Sequence, residues 1–154
     1  MPHDSLDRLQ ENLIRIVGAE AHDFELAYGK HARSFLEKLP VLFPLLRRAA
    51  FDLNLPDEVR RLAAFGVVYV AEPDDFMREG KVAARSLLDD CWVAFACLMR
   101  MRTLTTDETL QRHLRVAGNW EDLCALADNL PTLTLHLPSK VLEQLERWLG
   151  KSPG

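Results

Sequence analysis

The sequence predicts an all-α fold, a compact single-domain bundle of seven or eight helices over residues 1–154. Three observations support this. Apolar residues recur at three- and four-residue spacing in nearly every segment, as one buried face of a helix requires. Hydrophobic residues form 48% of the chain, which is enough for a core in a domain of this length. Only one short stretch, residues 132–138, alternates as a strand does.

The first forty residues predict two helices. Ser5 is a suitable N-cap for the first, and Gly18 is expected to bend or end it. The second is expected from about residue 20 to residue 39. The core candidates of these two helices are Leu6, Leu9, Leu13, Ile14, Val17, Phe24, Leu26, Ala27, Phe35 and Leu36.

Two prolines lie in the next segment. Pro40 and Pro44 are expected to interrupt a helix, because a proline in a helix clashes with the preceding turn. The stretch 41–53, which follows Pro40 and contains Pro44, predicts a short separate helix. Another helix is expected to begin after Asn54 and to stop near Glu72, since the residue before a proline avoids helical geometry.

A central helical hairpin is expected over residues 62–101. A polar connection at about residues 74–80 joins the helix that ends near Glu72 to a long helix over residues 81–101. We expect the apolar runs 62–71 and 91–99 of these helices to pack antiparallel, because the connection is short.

The last third of the chain predicts three more elements. Thr105 or Thr106 is expected to cap a helix that ends at Gly118, and Asn119 is expected to cap the next one. Pro131 is expected to stop that helix. The stretch 132–138 predicts an extended connector with alternate leucines on the bundle. Ser139 is then expected to cap the final helix and Gly150 to end it.

Two pairs of carboxylates flank the hairpin connection, Asp74 and Asp75 on one side and Asp89 and Asp90 on the other. In one interpretation they are structural: Asp89 or Asp90 is largely buried and holds residues 73–80 by accepting hydrogen bonds. In the other, Asp75, Asp89 and Asp90 form a site for Mg²⁺, Mn²⁺ or Ca²⁺, which prefer oxygen ligands.

The same segment resembles the YkvA-like family, a small bacterial and archaeal domain of unknown function. The likeness rests on Tyr69, on Pro73 and Asp75 as a Pro-x-Asp turn, and on the Leu-Asp-Asp run 88–90. Glu72 stands where the family has Ser, and a second Pro-Asp of the family is missing. The resemblance implies a helical hairpin and no established activity.

No complete catalytic constellation is visible. His22 lies three residues before Glu25, but the motif of di-iron bundles has the opposite order and must recur. His113 and His136 have no evident partner, and no catalytic residue is predicted. The three cysteines, 91, 97 and 124, lie in apolar segments without a CxxC spacing, which is typical of reduced thiols in a cytoplasmic protein.

The charge and hydropathy of the chain limit the kinds of partner that it is expected to bind. The net charge is −4 and no basic stripe is present, which argues against nucleic acid. No secretory signal is visible, and the longest apolar run is half the length of a bilayer span. We therefore expect a cytoplasmic, non-catalytic interaction or regulatory protein that binds a protein partner or itself, with no cofactor. The alternatives are a divalent-metal enzyme using the aspartates, with Mg²⁺ or Ca²⁺, and a peripheral membrane protein.

Overall fold

The computed structural model describes residues 2–71, 83–114 and 119–151. These residues form eight helices and no strand, so the predicted all-α bundle is confirmed. The helices are α1 (Pro2–Tyr28), α2 (Lys30–Phe51), α3 (Asp57–Ala71), α4 (Ala83–Leu104), α5 (Asp107–Gln111), α6 (Trp120–Asp128), α7 (Leu130–Thr134) and α8 (Ser139–Lys151).

Helix α2 lies at the centre of the bundle. It packs against α1, α3, α4 and α6. Its buried residues cover one broad face, about half of the helix circumference, and most of its charged residues occupy the other half. Its buried side chains include Phe35, Leu36, Leu39, Leu42, Phe43, Leu45 and Leu46.

Helices α1 and α2 form an antiparallel hairpin that turns at Gly29. This residue has φ of 95°, a left-handed conformation that favours glycine because it lacks a Cβ. Because the helices are antiparallel, late residues of α1 contact early residues of α2 and the reverse. Arg33 contacts Glu25 near the turn, and Arg47 contacts Asp7 at the far end.

The turn at Gly29 corrects two expectations. Helix α1 runs through Gly18 without ending there, and the predicted helix over residues 20–39 is divided between α1 and α2. An interior glycine costs about 1 kcal/mol relative to alanine. Burial of Leu13, Val17 and Phe24 on the same helix offsets that cost. The core candidates Ile14 and Leu26, in contrast, are exposed.

The expected interruption at Pro40 and Pro44 is wrong, because both prolines lie inside α2. Pro44 has no N–H to donate to the carbonyl of Pro40, and its ring pushes that carbonyl away from the helix axis. The side chain of Gln10 supplies the missing donor: its Nε2 lies 2.8 Å from the Pro40 oxygen. A partner on α1 therefore lets α2 continue through the proline.

Helices α3 and α4 are in contact, as the predicted hairpin requires. Helix α3 begins at Asp57, has Asp57 and Glu58 in its first turn and ends at Ala71, next to the expected end at Glu72. A Cβ built on Gly66 lies 3.0 Å from Leu46 Cδ1 and 3.4 Å from Cys97 Sγ. The missing side chain thus allows α3 to approach both α2 and α4.

One of the predicted caps is confirmed. Thr106 caps α5, and its hydroxyl accepts a hydrogen bond from the Thr109 N–H at 3.1 Å. Helix α5 ends at Gln111, before its expected end at Gly118, which lies outside the described residues.

Two other predicted caps are wrong. Ser5 lies inside α1, which begins at Pro2. Asn119 precedes α6, but its side chain makes no capping bond. Its Oδ1 instead accepts a bond from Lys38 Nζ at 3.3 Å, which links α6 to α2.

The extended connector predicted at residues 132–138 is wrong. Residues up to Thr134 belong to the short helix α7, which has Pro131 in its first turn. Leu133 and Leu137 are buried whereas Leu135 is exposed, because residues four apart share one face of a helical turn. Helix α8 follows from Ser139 and continues past Gly150, which was expected to end it.

Candidate functional site

Of the two predicted carboxylate pairs, the structure describes Asp89 and Asp90. Asp89 and Asp90 lie in α4 with 7% and 8% of their surface exposed, so the predicted burial is confirmed for both. Asp74, Asp75 and the connection that these residues were expected to hold lie outside the described residues.

Among the residues that the structure describes, no group of three or more His, Cys, Asp or Glu residues could hold a metal ion. Asp89 and Asp90 supply two carboxylates, and the third predicted ligand, Asp75, is not among the described residues. The divalent-cation site therefore stays a prediction.

The buried cysteines are protonated. Burial, and to a smaller extent the negative charge of Asp90, raises the pKa of the Cys91 thiol well above its usual value. Burial likewise raises the pKa of Cys97 to about 12. Burial also raises the pKa of Cys124, which is partly exposed. Since the thiolate is the reactive form, these side chains act as packing groups at neutral pH.

A cleft of about 640 Å³ opens between α1 and α2, at the end of their hairpin away from Gly29. Each helix contributes four residues at spacing i, i+3, i+4 and i+7, which places them on one face. The lining residues are Asp7, Gln10, Glu11 and Ile14 from α1 and Pro44, Arg47, Arg48 and Phe51 from α2.

Each helix contributes one exposed apolar side chain to the cleft. Phe51 is 68% exposed and Ile14 is 53% exposed, whereas most large apolar side chains of the two helices are buried. Leu53, two residues after the end of α2, is also exposed. Exposed apolar side chains with charged neighbours are typical of a binding surface.

Opposite charges line the two rims of the cleft. The α1 rim is acidic, with Asp7 and Glu11, and the α2 rim is basic, with Arg47 and Arg48. Arg47 Nη1 bonds to Asp7 Oδ1 at 2.8 Å across the cleft. Arg48 donates through Nη1 to the backbone oxygen of His113 at 3.2 Å.

His113, expected to have no partner, lies buried beside this cleft. Its Nε2 is 2.9 Å from Asp52 Oδ2, and its Nδ1 is 3.1 Å from the carbonyl oxygen of Thr109. Hydrogen bonds from the Asn54 backbone N–H and from His113 lower the pKa of Asp52 below its usual range. The sequence gives no signal for this pair, because 61 residues separate its members.

His136, the other histidine without an evident partner in the sequence, is exposed. Its ring lies 5.4 Å from the ring of Tyr28, centroid to centroid. His31 packs edge-on against Phe35 at 5.6 Å. Both histidines therefore have an aromatic neighbour within the bundle.

The three tryptophans differ in exposure. Trp92 and Trp120 are buried, and Trp92 Nε1 donates to Thr134 Oγ1 at 2.9 Å. Trp148 on α8 is 40% exposed, and its ring lies 6.4 Å from the ring of Tyr69, centroid to centroid. The two buried rings belong to the core.

A scan of protein-family models finds no match to this chain, and comparisons with curated proteins and with solved structures find none either. The resemblance of residues 62–101 to the YkvA-like family therefore stays a prediction. In the described ranges, no helix has both the length and the apolar character needed to cross a bilayer. The cleft between α1 and α2 is the candidate functional site, because it combines exposed apolar side chains with ordered charges.

Proposed function

We propose that this protein is a non-catalytic interaction protein that pairs with a second copy of itself through the cleft between α1 and α2. The observation that carries the proposal is the arrangement of charge around the exposed Phe51 and Ile14: acids on the α1 rim and bases on the α2 rim. A two-fold axis that runs parallel to α1 and α2 lays the acidic rim of each copy against the basic rim of the other.

The charges available for pairing between copies are Glu11 and Arg48. Asp7 and Arg47 already bond to each other within one chain. Glu11 and Arg48 are both exposed, and Arg48 has guanidinium N–H groups beyond the one bound to the His113 carbonyl. Each two-fold interface therefore contains two Glu11–Arg48 contacts, one from each direction.

The apolar centre sets the expected affinity. Fully burying a Phe or Ile side chain contributes about 1.5–3 kcal/mol. Scaled by the exposed fractions, Phe51 and Ile14 from two copies contribute roughly 4–7 kcal/mol. Exposed ion pairs add about 0.2–1 kcal/mol each, and the loss of association entropy opposes both by about 4 kcal/mol or more. We therefore expect a weak dimer, with a Kd on the order of 100 μM at the strongest.

A non-catalytic role is supported by the state of the nucleophilic side chains. The thiols of Cys91 and Cys97 are buried with raised pKa values. His113 is buried, and its two ring nitrogens lie within hydrogen-bond distance of Asp52 Oδ2 and of the Thr109 carbonyl oxygen.

Sedimentation velocity over a concentration series tests the proposal. The parent protein is expected to shift from monomer to dimer as its concentration rises through the micromolar range. Phe51→Asp and Ile14→Asp are expected to keep it monomeric. Leu26→Asp is the matched control, because Leu26 is an exposed apolar residue of α1 three turns from Ile14.

Two results would overturn the proposal. One is a parent protein that stays monomeric up to about 1 mM, ten times the strongest Kd expected. The other is a dimer that Phe51→Asp and Ile14→Asp leave intact, since that dimer would use a different surface.

A further inference from the structure

The turn that follows α5, residues 112–114, is held against the end of α2 by two contacts with His113. Arg48, in the last turn of α2, donates through Nη1 to the backbone oxygen of His113 at 3.2 Å. Asp52, the C-cap residue of α2, has its Oδ2 2.9 Å from the Nε2 of the same histidine. One end of α2 therefore contacts both the backbone and the ring of His113.

Packing restrains His113 in this position. It is buried, and its backbone N–H bonds at 3.0 Å to the carbonyl of Leu110, a fully buried residue of α5. Asp52 is itself held by the Asn54 N–H, which donates to its Oδ1 at 2.9 Å. The carbonyl oxygen that accepts the bond from Arg48 thus belongs to a residue that is restrained through both its backbone and its ring.

This carbonyl orients the guanidinium of Arg48 without neutralising it. The neighbouring Arg47 pairs with the carboxylate of Asp7 in the same chain. A backbone carbonyl, in contrast, carries no net charge, and one bond to it uses one of the five N–H donors of an arginine. Arg48 is exposed and lines the cleft, so its positive charge and its other donors remain available to a carboxylate from outside the chain.

We infer that His113 and Asp52 are positioning residues for the pairing of two copies: they hold the carbonyl that orients Arg48 on the basic rim, where Glu11 of the second copy meets it. The inference rests on the proposed function and extends it to two residues that do not line the cleft. An unrestrained arginine samples many rotamers and loses that freedom when it pairs. The bond to the carbonyl removes part of this loss before the two copies meet.

The expected effect on affinity follows from the number of restrained side chains. Ordering one flexible side chain on binding weakens association by about two- to tenfold. A two-fold dimer contains Arg48 twice, once in each copy. Loss of the restraint is therefore expected to raise the Kd at least about fourfold.

Nitrogen-15 relaxation of the arginine Nε–H groups tests the restraint in the monomer, at protein concentrations well below the expected Kd. In the parent protein the order parameter of Arg48 is expected to exceed about 0.6, and in His113→Ala and Asp52→Ala it is expected to fall below that value. Arg33, which pairs with Glu25, is the internal reference and should stay unchanged. An Arg48 side chain that is equally mobile in all three proteins would overturn the inference.

The Kd of self-association, from chemical shifts over a concentration series up to about 1 mM, tests the role in pairing. His113→Ala and Asp52→Ala are expected to raise it at least about fourfold. Arg112→Ala is the matched control, because Arg112 adjoins His113 but is exposed and pairs with Glu108. It should change neither the Kd nor the order of Arg48.

The two measurements separate the ways in which the inference can fail. A loosened Arg48 with an unchanged Kd would overturn the role of His113 and Asp52 in pairing, while the dimer itself stands. A parent protein that stays monomeric would refute self-pairing and this role together. That result is told apart from a failure of the positioning contact, because the order of Arg48 is measured in the monomer.

Discussion

The hydrogen bond from Gln10 to the Pro40 carbonyl is expected to stabilise the protein only because residue 44 is a proline. If residue 44 were any other amino acid, its backbone N–H would bond to the Pro40 carbonyl within the helix. Pro44→Ala supplies that N–H, and Gln10→Met removes the side-chain donor while keeping an unbranched chain of similar length. The two changes together form a double-mutant cycle.

The hydrogen bond in the structure indicates how much stability Gln10→Met should cost. In the parent protein, Gln10 Nε2 lies 2.8 Å from the Pro40 oxygen, and the variant removes this donor. Loss of one partner from a buried pair costs about 1–3 kcal/mol, and water can reach this half-buried site, so we expect about 1–1.5 kcal/mol. For a chain of this length that loss lowers the Tm by about 2–6 °C. In the Pro44→Ala background we expect a change near zero.

Thermal and urea unfolding of the four proteins give the coupling free energy. The measurement is best made at low protein concentration, because Gln10 also lines the cleft. A coupling of about 1 kcal/mol agrees with a side chain that replaces the missing backbone donor. If Gln10→Met has the same effect with and without Pro44, the reasoning is refuted and the hydrogen bond does not depend on the proline.

Three further predictions concern the core, acid stability and the buried aspartates. Gly66→Leu is expected to destabilise the protein by about 3 kcal/mol, because its Cβ lies 3.0 Å from Leu46 and its longer chain overlaps α2; Gly66→Ala is expected to change the stability little, because the helix propensity of alanine offsets the close contact; urea unfolding measures both. The pKa of Asp52 is lowered, so its contribution to stability is present above the usual value of 3.8 and is lost as the pH falls below it. The stability advantage of the parent protein over Asp52→Asn should accordingly shrink between pH 5 and pH 2, and an advantage that stays constant would be inconsistent with this linkage. Asp89→Ala or Asp90→Ala is expected to cost about 1–3 kcal/mol, since both carboxylates are buried. Melts with and without Mg²⁺ then separate the two interpretations: a parent Tm raised by Mg²⁺, with the rise lost in these variants, favours the cation site.

Much of the fold could be predicted from local signals. Asp57 and Glu58 mark the first turn of α3, and Thr106 marks the start of α5, because a helix terminus is satisfied by residues next to it in sequence. The burial of Asp89 and Asp90 followed from the apolar residues on both sides of them. In each case the deciding contact lies within one turn of the residue.

The errors came from contacts distant in sequence. Nothing near Pro44 indicates that Gln10, on another helix, satisfies the Pro40 carbonyl. Nothing near His113 points to Asp52, which approaches it only when α2 packs beside α5. The apparent strand at 132–138 has a different cause. Leucines at 133, 135 and 137 fit a two-residue alternation, yet the two buried ones also fit a four-residue helical spacing.

The cleft itself was beyond sequence reasoning. Ile14 fits the apolar periodicity of α1 and was expected in the core, but it is 53% exposed. The position of Gly29 sets the register between α1 and α2, and that register places Ile14 and Phe51 on the same cleft. A glycine of positive φ is recognised only once the backbone is known.

Charge reversal in a mixture of two variants tests the pairing of two copies most directly. Glu11→Arg alone and Arg48→Glu alone each place like charges at both contacts of a two-fold dimer, so each is expected to weaken self-association at least tenfold. In the mixture, every contact between unlike copies again joins opposite charges, and a heterodimer is expected to form with an affinity near that of the parent protein. Thermal melts of each variant control for folding, because Arg48 also bonds to the His113 carbonyl. In sedimentation velocity, an equimolar mixture of the two variants is predicted to form the dimer again. A mixture that stays as monomeric as the separate variants would contradict the account.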